Sequence, residues 1–213
     1  MNIRQSVAGA PTSMRDRLGT VQHPGASTRG RLLVATPPLG DPHFDRTVVF
    51  MLEHSGSGAV GIVLNRPDRD MSEMLDALGS SPLGLWHSHL APPTMLFVGG
   101  PVGDDSLIGV ASGTGRDETT WGPITSGLGT VDLSLRPDEA MSEIDRVRIF
   151  RGYAGWGPSQ LETEFEAGAW MVFDATDEDV FTTEPDHLWR AVLRRQGGRL
   201  RWIADAPNDL SAN

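Results

Sequence analysis

The sequence predicts an α+β fold in a single domain, with coiled antiparallel β-sheets packed around a few core helices. Three observations predict it. Short apolar runs of strand length crowd the earlier part of the chain, separated by Gly, Pro, Ser and Asp. Helical periodicity appears in separate stretches, mostly late, and does not alternate with every strand as a doubly wound sheet requires. The 25 glycines and 15 prolines supply turns throughout.

The elements follow in order. Residues 1–28 are polar, rich in Gly, Ser and Thr, and without periodicity, so a mobile tail is expected ahead of a domain over 29–204, with a second tail at 205–213. RLLVAT (31–36) reads as a strand, and PPLGDP (37–42) as turn chemistry. RTVVFMLEH (46–54) and AVGIVLNR (59–66) read as hairpin strands about Ser55-Gly56-Ser57-Gly58. Both are apolar on both faces, which predicts central strands covered on two sides. Asp70 and Glu73 form a capping box for a helix MSEMLDAL. TMLFVGG (94–100) and SLIGVAS (106–112) read as a second strand pair around Pro101 to Asp104, and GLGTVDLSL (127–135) as another strand. RPDEAMSEI (136–144) reads as helix, and VRIFRGY (147–153) as a strand. RGYAGWGPSQLETEF (151–165) then reads as a glycine-built corner opening a helix. Leu161 and Phe165 face inward there, and Glu162, Glu164 and Glu166 face water. Either Pro158 at the first helical position or Ser159 with Glu162 starts that helix. AWMVFDA (169–175) is a strand. Thr183 and Asp186 cap a last helix through about Gln196, with Leu188, Trp189, Val192 and Leu193 buried, and GRLRWIA (198–204) closes as a strand.

Composition bounds the function. The net charge of −10 disfavours a large phosphate-binding face, although a local arginine patch is compatible with it. All 18 basic residues are arginine. Without cysteine the chain has no disulfide, no thiolate nucleophile and no thiolate metal site, which fits a cytoplasmic protein. The first residues carry no apolar run of signal-peptide length, and VVFML (48–52) is far short of the ~20 residues that span a bilayer.

GRLLVATPPLGDPHFDRTVVFMLEH (30–54), GAVGIVLNRP (58–67), VGGPV (98–102) and RGYAGWGPSQLETEFEAGAW (151–170) stand in an order and spacing that resemble the AlgH/YqgE family of small bacterial proteins. The final helix and IADAPNDLS (203–211) resemble it too. The resemblance covers most of residues 30–211. It implies a compact α+β fold of coiled antiparallel sheet around a few helices, and no reaction. The name AlgH carries a link to regulation of alginate production, usually described as transcriptional.

Several residue groups are candidates for chemistry. Asp41, His43, Asp45, Arg46, Asn65 and Arg66 gather at the open end of the predicted hairpin. They mix carboxylates, an imidazole, guanidiniums and an amide, a set that suits an anionic ligand clamped by arginine or acid–base work by His43. The competing reading is that Asp41 and Asn65 satisfy turn backbone and Arg46 pairs with a carboxylate. Glu53 and His54 lie at the turn end, about 26 Å away by strand geometry, on opposite strand faces. His87-Ser88-His89 is a metal half-site if extended, without a third ligand by spacing. Gly99-Gly100-Pro101-Val102 reads as a tight turn. Tyr153 and Trp156 either plug the glycine corner or wall a ligand or partner site.

The expected function is a non-enzymatic binding or indirectly regulatory protein, with a protein partner or a small anionic ligand. No cofactor fingerprint is present, so no cofactor is expected. The alternative is a small-molecule enzyme acting on an anionic metabolite through Asp41, His43, Arg46 and Asn65. Direct DNA binding is disfavoured by the acidic balance.

Overall fold

The computed structural model describes residues 27–37, 43–68 and 81–205. Strands β1 (Arg31–Ala35), β2 (Val48–Ser55) and β3 (Gly58–Val63) form an antiparallel unit, with the Ser55↔Gly58 hairpin as expected. Beyond them come β4 (Pro67–Asp68), β5 (Leu96–Val98), β6 (Val102–Gly115), β7 (Trp121–Pro123), β8 (Leu128–Val131), β9 (Met141–Trp156) and β10 (Trp170–Asp174). The main path runs β10-β1-β2-β3-β9-β6-β8-β7, and β5 joins β4 and β9. Among the named strands, β5–β9 is parallel and the other pairs are antiparallel. The fold is thus α+β with a curled, mostly antiparallel sheet. The region of Asp70 and MSEMLDAL lies outside the described residues.

Burial on both faces of the central strands is borne out. Leu32, Val34, Phe50 and Ile62 enter one core with the C-terminal helices, α5 (Leu188–Gln196) and α6 (Gly198–Asp205). Leu33, Val49, Met51 and Val63 enter a second, under α3 (Gln160–Glu166). A third core joins β6 and β9 to Trp86, which lies beside α1 (Pro82–Leu85).

Other expectations are corrected. The strands at 94–100 and 106–112 do not pair with each other. At Phe150, β9 takes Phe97 on one side and Ile108 on the other. Gly99 and Gly100 are what permits this. A Cβ at Gly99 would stand 2.3 Å from the Gly152 carbonyl oxygen, and one at Gly100 2.2 Å from the Tyr153 carbonyl carbon. The pair is a site of backbone crossing.

RPDEAMSEI is helical only over α2 (Pro137–Ala140). Met141 begins β9, where pairing with Gly115 of β6 overrides local helical preference. GRLRWIA is helix α6, because Leu200, Ile203 and Ala204 stand at helical spacing and pack against the core of α5. A short 3₁₀ turn, Pro185–His187, precedes α5, and α5 has no side-chain cap in place of the predicted Thr183/Asp186 pair. The buried stripe Leu188, Trp189, Val192 and Leu193 is as predicted. Between Phe181 and β10 sits α4 (Asp177–Val180).

The corner after β9 is also displaced. The strand runs on through Tyr153 and Trp156, so the turn falls at 157–159, with Ser159 at φ 62°. Neither predicted cap forms. The Gln160 side chain accepts from Gly157 N–H at 3.1 Å instead.

A candidate binding recess and the polar groups around it

Asn65 is the centre of the predicted polar cluster, and its amide is consumed by backbone. Its Nδ2 donates to the Arg46 carbonyl at 2.9 Å, and its Oδ1 accepts from Val48 N–H at 2.9 Å. The side chain thereby closes the open end of the β2–β3 hairpin, with Arg46 held at φ 51°. Arg46 belongs to a turn and not to β2. Asn65→Ala should lower the unfolding free energy by roughly 2 kcal/mol, since a donor and an acceptor are stranded together; a shifted denaturant midpoint at unchanged slope measures it.

The turn at 43–46 straddles the sheet. His43 and Asp45 are exposed. Phe44 stacks at 6.3 Å on Trp156 and meets Trp170 edge-on at 5.5 Å. The Arg46 guanidinium lies 5.4 Å from the Trp189 ring on the opposite side, at α5. The polar loop and Trp156 are therefore joined through Phe44. Arg66 contributes its carbonyl to Val98 N–H at 2.8 Å. Asp41 lies outside the described residues.

Trp156 is a core residue, 6% exposed. Its Nε1 donates to Glu164 Oε2 at 2.9 Å, and Trp170 Nε1 donates to the same oxygen at 2.7 Å. Gln160 Nε2 donates to the other oxygen at 3.1 Å. Glu164 is thus turned inward, contrary to its expected place on the wet side of α3. Tyr153 is half-buried against the first core.

A recess of about 330 Å³ lies next to Arg66, between Pro67, Pro93 and Met95 on one wall and Thr183 to His187 on the other. That volume is near the lower end for small-ligand sites. Its lining combines apolar Pro67, Pro93, Met95 and Pro185 with Glu184, Asp186 and His187. Buried Arg148 ties together the two chain segments that lead into the walls of the recess. Its Nη2 donates to the Pro92 carbonyl at 2.6 Å and its Nη1 to the Val180 carbonyl at 3.1 Å, with the guanidinium 4.4 Å from the Phe97 ring. Burial, with Arg146 nearby, lowers Arg148 to about 10, which leaves it charged at neutral pH.

The turn-end pair behaves differently from its sequence reading. The register shifts between Met51 and Glu53, a bulge at Leu52. That one extra residue moves His54 opposite Ala59, onto the face that packs under α3. There His54 Nε2 meets Glu162 Oε1 at 3.0 Å. Thr28 N–H donates to Nδ1 at 3.1 Å, which assigns the proton of the neutral ring to Nε2, and the Thr28 hydroxyl lies 3.0 Å from Nδ1. The Glu162 carboxyl is held below its ordinary value by its own backbone N–H, with His54 adding to it and partial burial opposing. Glu53 points the other way and pairs with Arg29 at 3.5 Å. The sequence places Glu162 on the wet side of its helix and Thr28 in the leading tail, because no local pattern marks the bulge that turns His54 toward them.

His87 and His89 lie on a 3₁₀ turn and not on an extended segment. Among the described residues, no three His, Asp or Glu side chains gather as a metal set. Among them, too, no helix is long and apolar enough to cross a membrane.

The sequence profile described as AlgH-like matches residues 32–201. The chain belongs to the AlgH-like family. This AlgH-like chain is 43% identical over 194 residues to a UPF0301 protein of Streptomyces avermitilis, covering 88% of this chain and 96% of the relative. A UPF0301 protein of Mycobacterium avium is 35% identical over 208 residues, covering 96% and 94%. Among solved structures, the AlgH-like fold is similar to the crystal structure of DIP2367 from Corynebacterium diphtheriae, with TM-score 0.75 and 28% identity over 90% of this chain and 99% of that one. It is also similar to the solution structure of the AlgH protein from Pseudomonas aeruginosa, with TM-score 0.60 and 25% identity over 88% and 98%.

Proposed function

We propose that this AlgH-like protein is a non-enzymatic binding protein of the cytoplasm, acting in regulation indirectly through a protein partner or a small ligand and not by reading DNA. One observation carries the reading: Asn65 and Glu164, two polar side chains at the centre of the candidate regions, are invested in holding backbone and indole groups of the scaffold. The recess beside Pro67 is then the place for an occupant. Its carboxylates, Glu184 and Asp186, beside Pro67, Pro93 and Met95 suit a cationic or apolar group. That chemistry differs from the anionic metabolite expected at Arg46.

The test is a thermal-shift screen of the purified protein against amines, basic and apolar peptides, nucleotides, sugar phosphates, organic acids and divalent metals. A ligand at 100 times its Kd stabilises by about 2.7 kcal/mol, on the order of 5–10 °C here. The shift should vanish in Thr183→Trp, which fills the recess, and persist in His43→Ala. A shift unaffected by Thr183→Trp and lost in His43→Ala would reverse the assignment.

One observation favours an enzymatic second reading, and it lies away from His43. The Glu162–His54 pair sets a carboxylate 3.0 Å from one ring nitrogen of a largely buried imidazole, the pairing of a base with its orienting group. A turnover abolished by His54→Ala, with the melting temperature preserved, would place the protein in that class.

A further inference from the structure

The last two helices invert the charge of the chain. Residues 188–205 hold five arginines and one aspartate, net +4, whereas the rest of the chain is −14. Arg194 and Arg195 are drawn into ion pairs with Asp205 at 2.6 Å and Asp179 at 2.7 Å, and Arg190 donates to the Ala204 carbonyl. Helix α6 turns Leu200 and Ala204 inward. That leaves Arg199, Arg201 and Trp202 exposed, Trp202 at 81%. Arg199 and Trp202 stand three residues apart and are neighbours on one helical face. The other bulky aromatics of this end, Trp189 and Phe181, are buried. A single exposed apolar side chain is ordinary. A large exposed indole on the same short helix as exposed Arg199 and Arg201, on an otherwise acidic molecule, is a more specific combination.

We propose that α6 is a docking surface for a short acidic segment of a partner protein, one carrying an apolar or aromatic side chain to cover Trp202. Charge complementarity selects the sign of the partner. Size selects its class: eight residues of helix offer about 12 Å, the span of roughly four extended residues. That is too short to track a nucleic-acid backbone, and the −14 of the remaining chain repels a long polyanion. The surface is separate from the recess at Pro67, so its fate does not depend on the reading proposed there.

The test uses a fluorescent peptide of Asp and Glu around one Phe, titrated by anisotropy at low salt. Binding is expected to the full chain and to fall at least about tenfold in Trp202→Ala and in the double variant Arg199→Glu/Arg201→Glu, with melting temperatures unchanged. It should also weaken as salt is raised. The proposal is overturned by no binding at low salt, by equal binding to the variants, or by tighter binding of an oligothymidylate. Self-association of the free protein that disappears in the double variant would also overturn it, because the occupant would then be a second copy.

Discussion

Glu164→Ala is expected to lower the unfolding free energy by roughly 3–5 kcal/mol, enough to drop the melting temperature by on the order of 10 °C. The size follows from how many groups depend on one carboxylate. Two indole N–H groups, of Trp156 and Trp170, end on the same oxygen, and both rings are only 6% exposed. Each indole N–H loses a charged acceptor when the carboxylate is removed. The three rings of Phe44, Trp156 and Trp170 lie within 5.5–6.3 Å of one another, so loosening one disturbs the others. Glu164→Gln is the discriminating control. It keeps an acceptor oxygen, so it should retain more than half of the lost stability if hydrogen bonding to the indoles is the cause. Equal loss in the two variants would mean that the negative charge itself is what matters.

The second large effect is at Arg148, which is 1% exposed. Its removal has opposing consequences. A desolvated cation disappears, which is favourable, since burial depresses its proton affinity in the folded state. Against this, the buried carbonyl of Val180 and the part-buried carbonyl of Pro92 lose their donors, and a long side chain leaves a void against Phe97. A stranded acceptor at Val180, at about 1–3 kcal/mol, plus the cavity and the smaller loss at Pro92, outweighs the relief. Arg148→Ala should therefore cost roughly 3 kcal/mol in chemical denaturation. Arg148→Met fills the void without donating, and should cost less, about 2 kcal/mol. A stabilising Arg148→Met would show that the desolvation cost dominates. Both variants should weaken ligand binding at the recess, because the guanidinium joins Pro92, next in sequence to the wall residue Pro93, to Val180, three residues before the wall residue Thr183.

The sequence made the central hairpin legible because a Ser-Gly-Ser-Gly turn sits between two runs that are apolar on both faces, and both signals are local. The stripe of α5 was legible for the same reason. What could not be read was governed by distant pairing. Met141 follows a sequence that favours helix, yet it lies in β9 because β6 supplies its partner. Residues 198–204 carry alternation and helical spacing at once, and packing on α5 decides for the helix. Gly99 and Gly100 looked like punctuation, whereas they are the only residues small enough for two backbones to cross there. For the candidate site, the meeting of Arg46 with Asn65 followed from hairpin geometry. Its meaning did not, since an amide that clamps backbone and one that waits for a ligand have the same letter. The His54–Glu162 contact was hidden by one bulged residue, which reverses the face of everything after it.

The measurement that tests the central claim most directly is an amide chemical-shift map of the isotope-labelled protein, titrated with the strongest hit of the ligand screen. The claim is that the polar cluster serves the scaffold and that binding occurs in the adjoining recess. It predicts saturable shifts centred on Met95 and residues 183–187, with residues 43–46 and 65 moving little. Shifts centred on 43–46, or on Thr28, His54 and Glu162, with the recess unchanged, would contradict it.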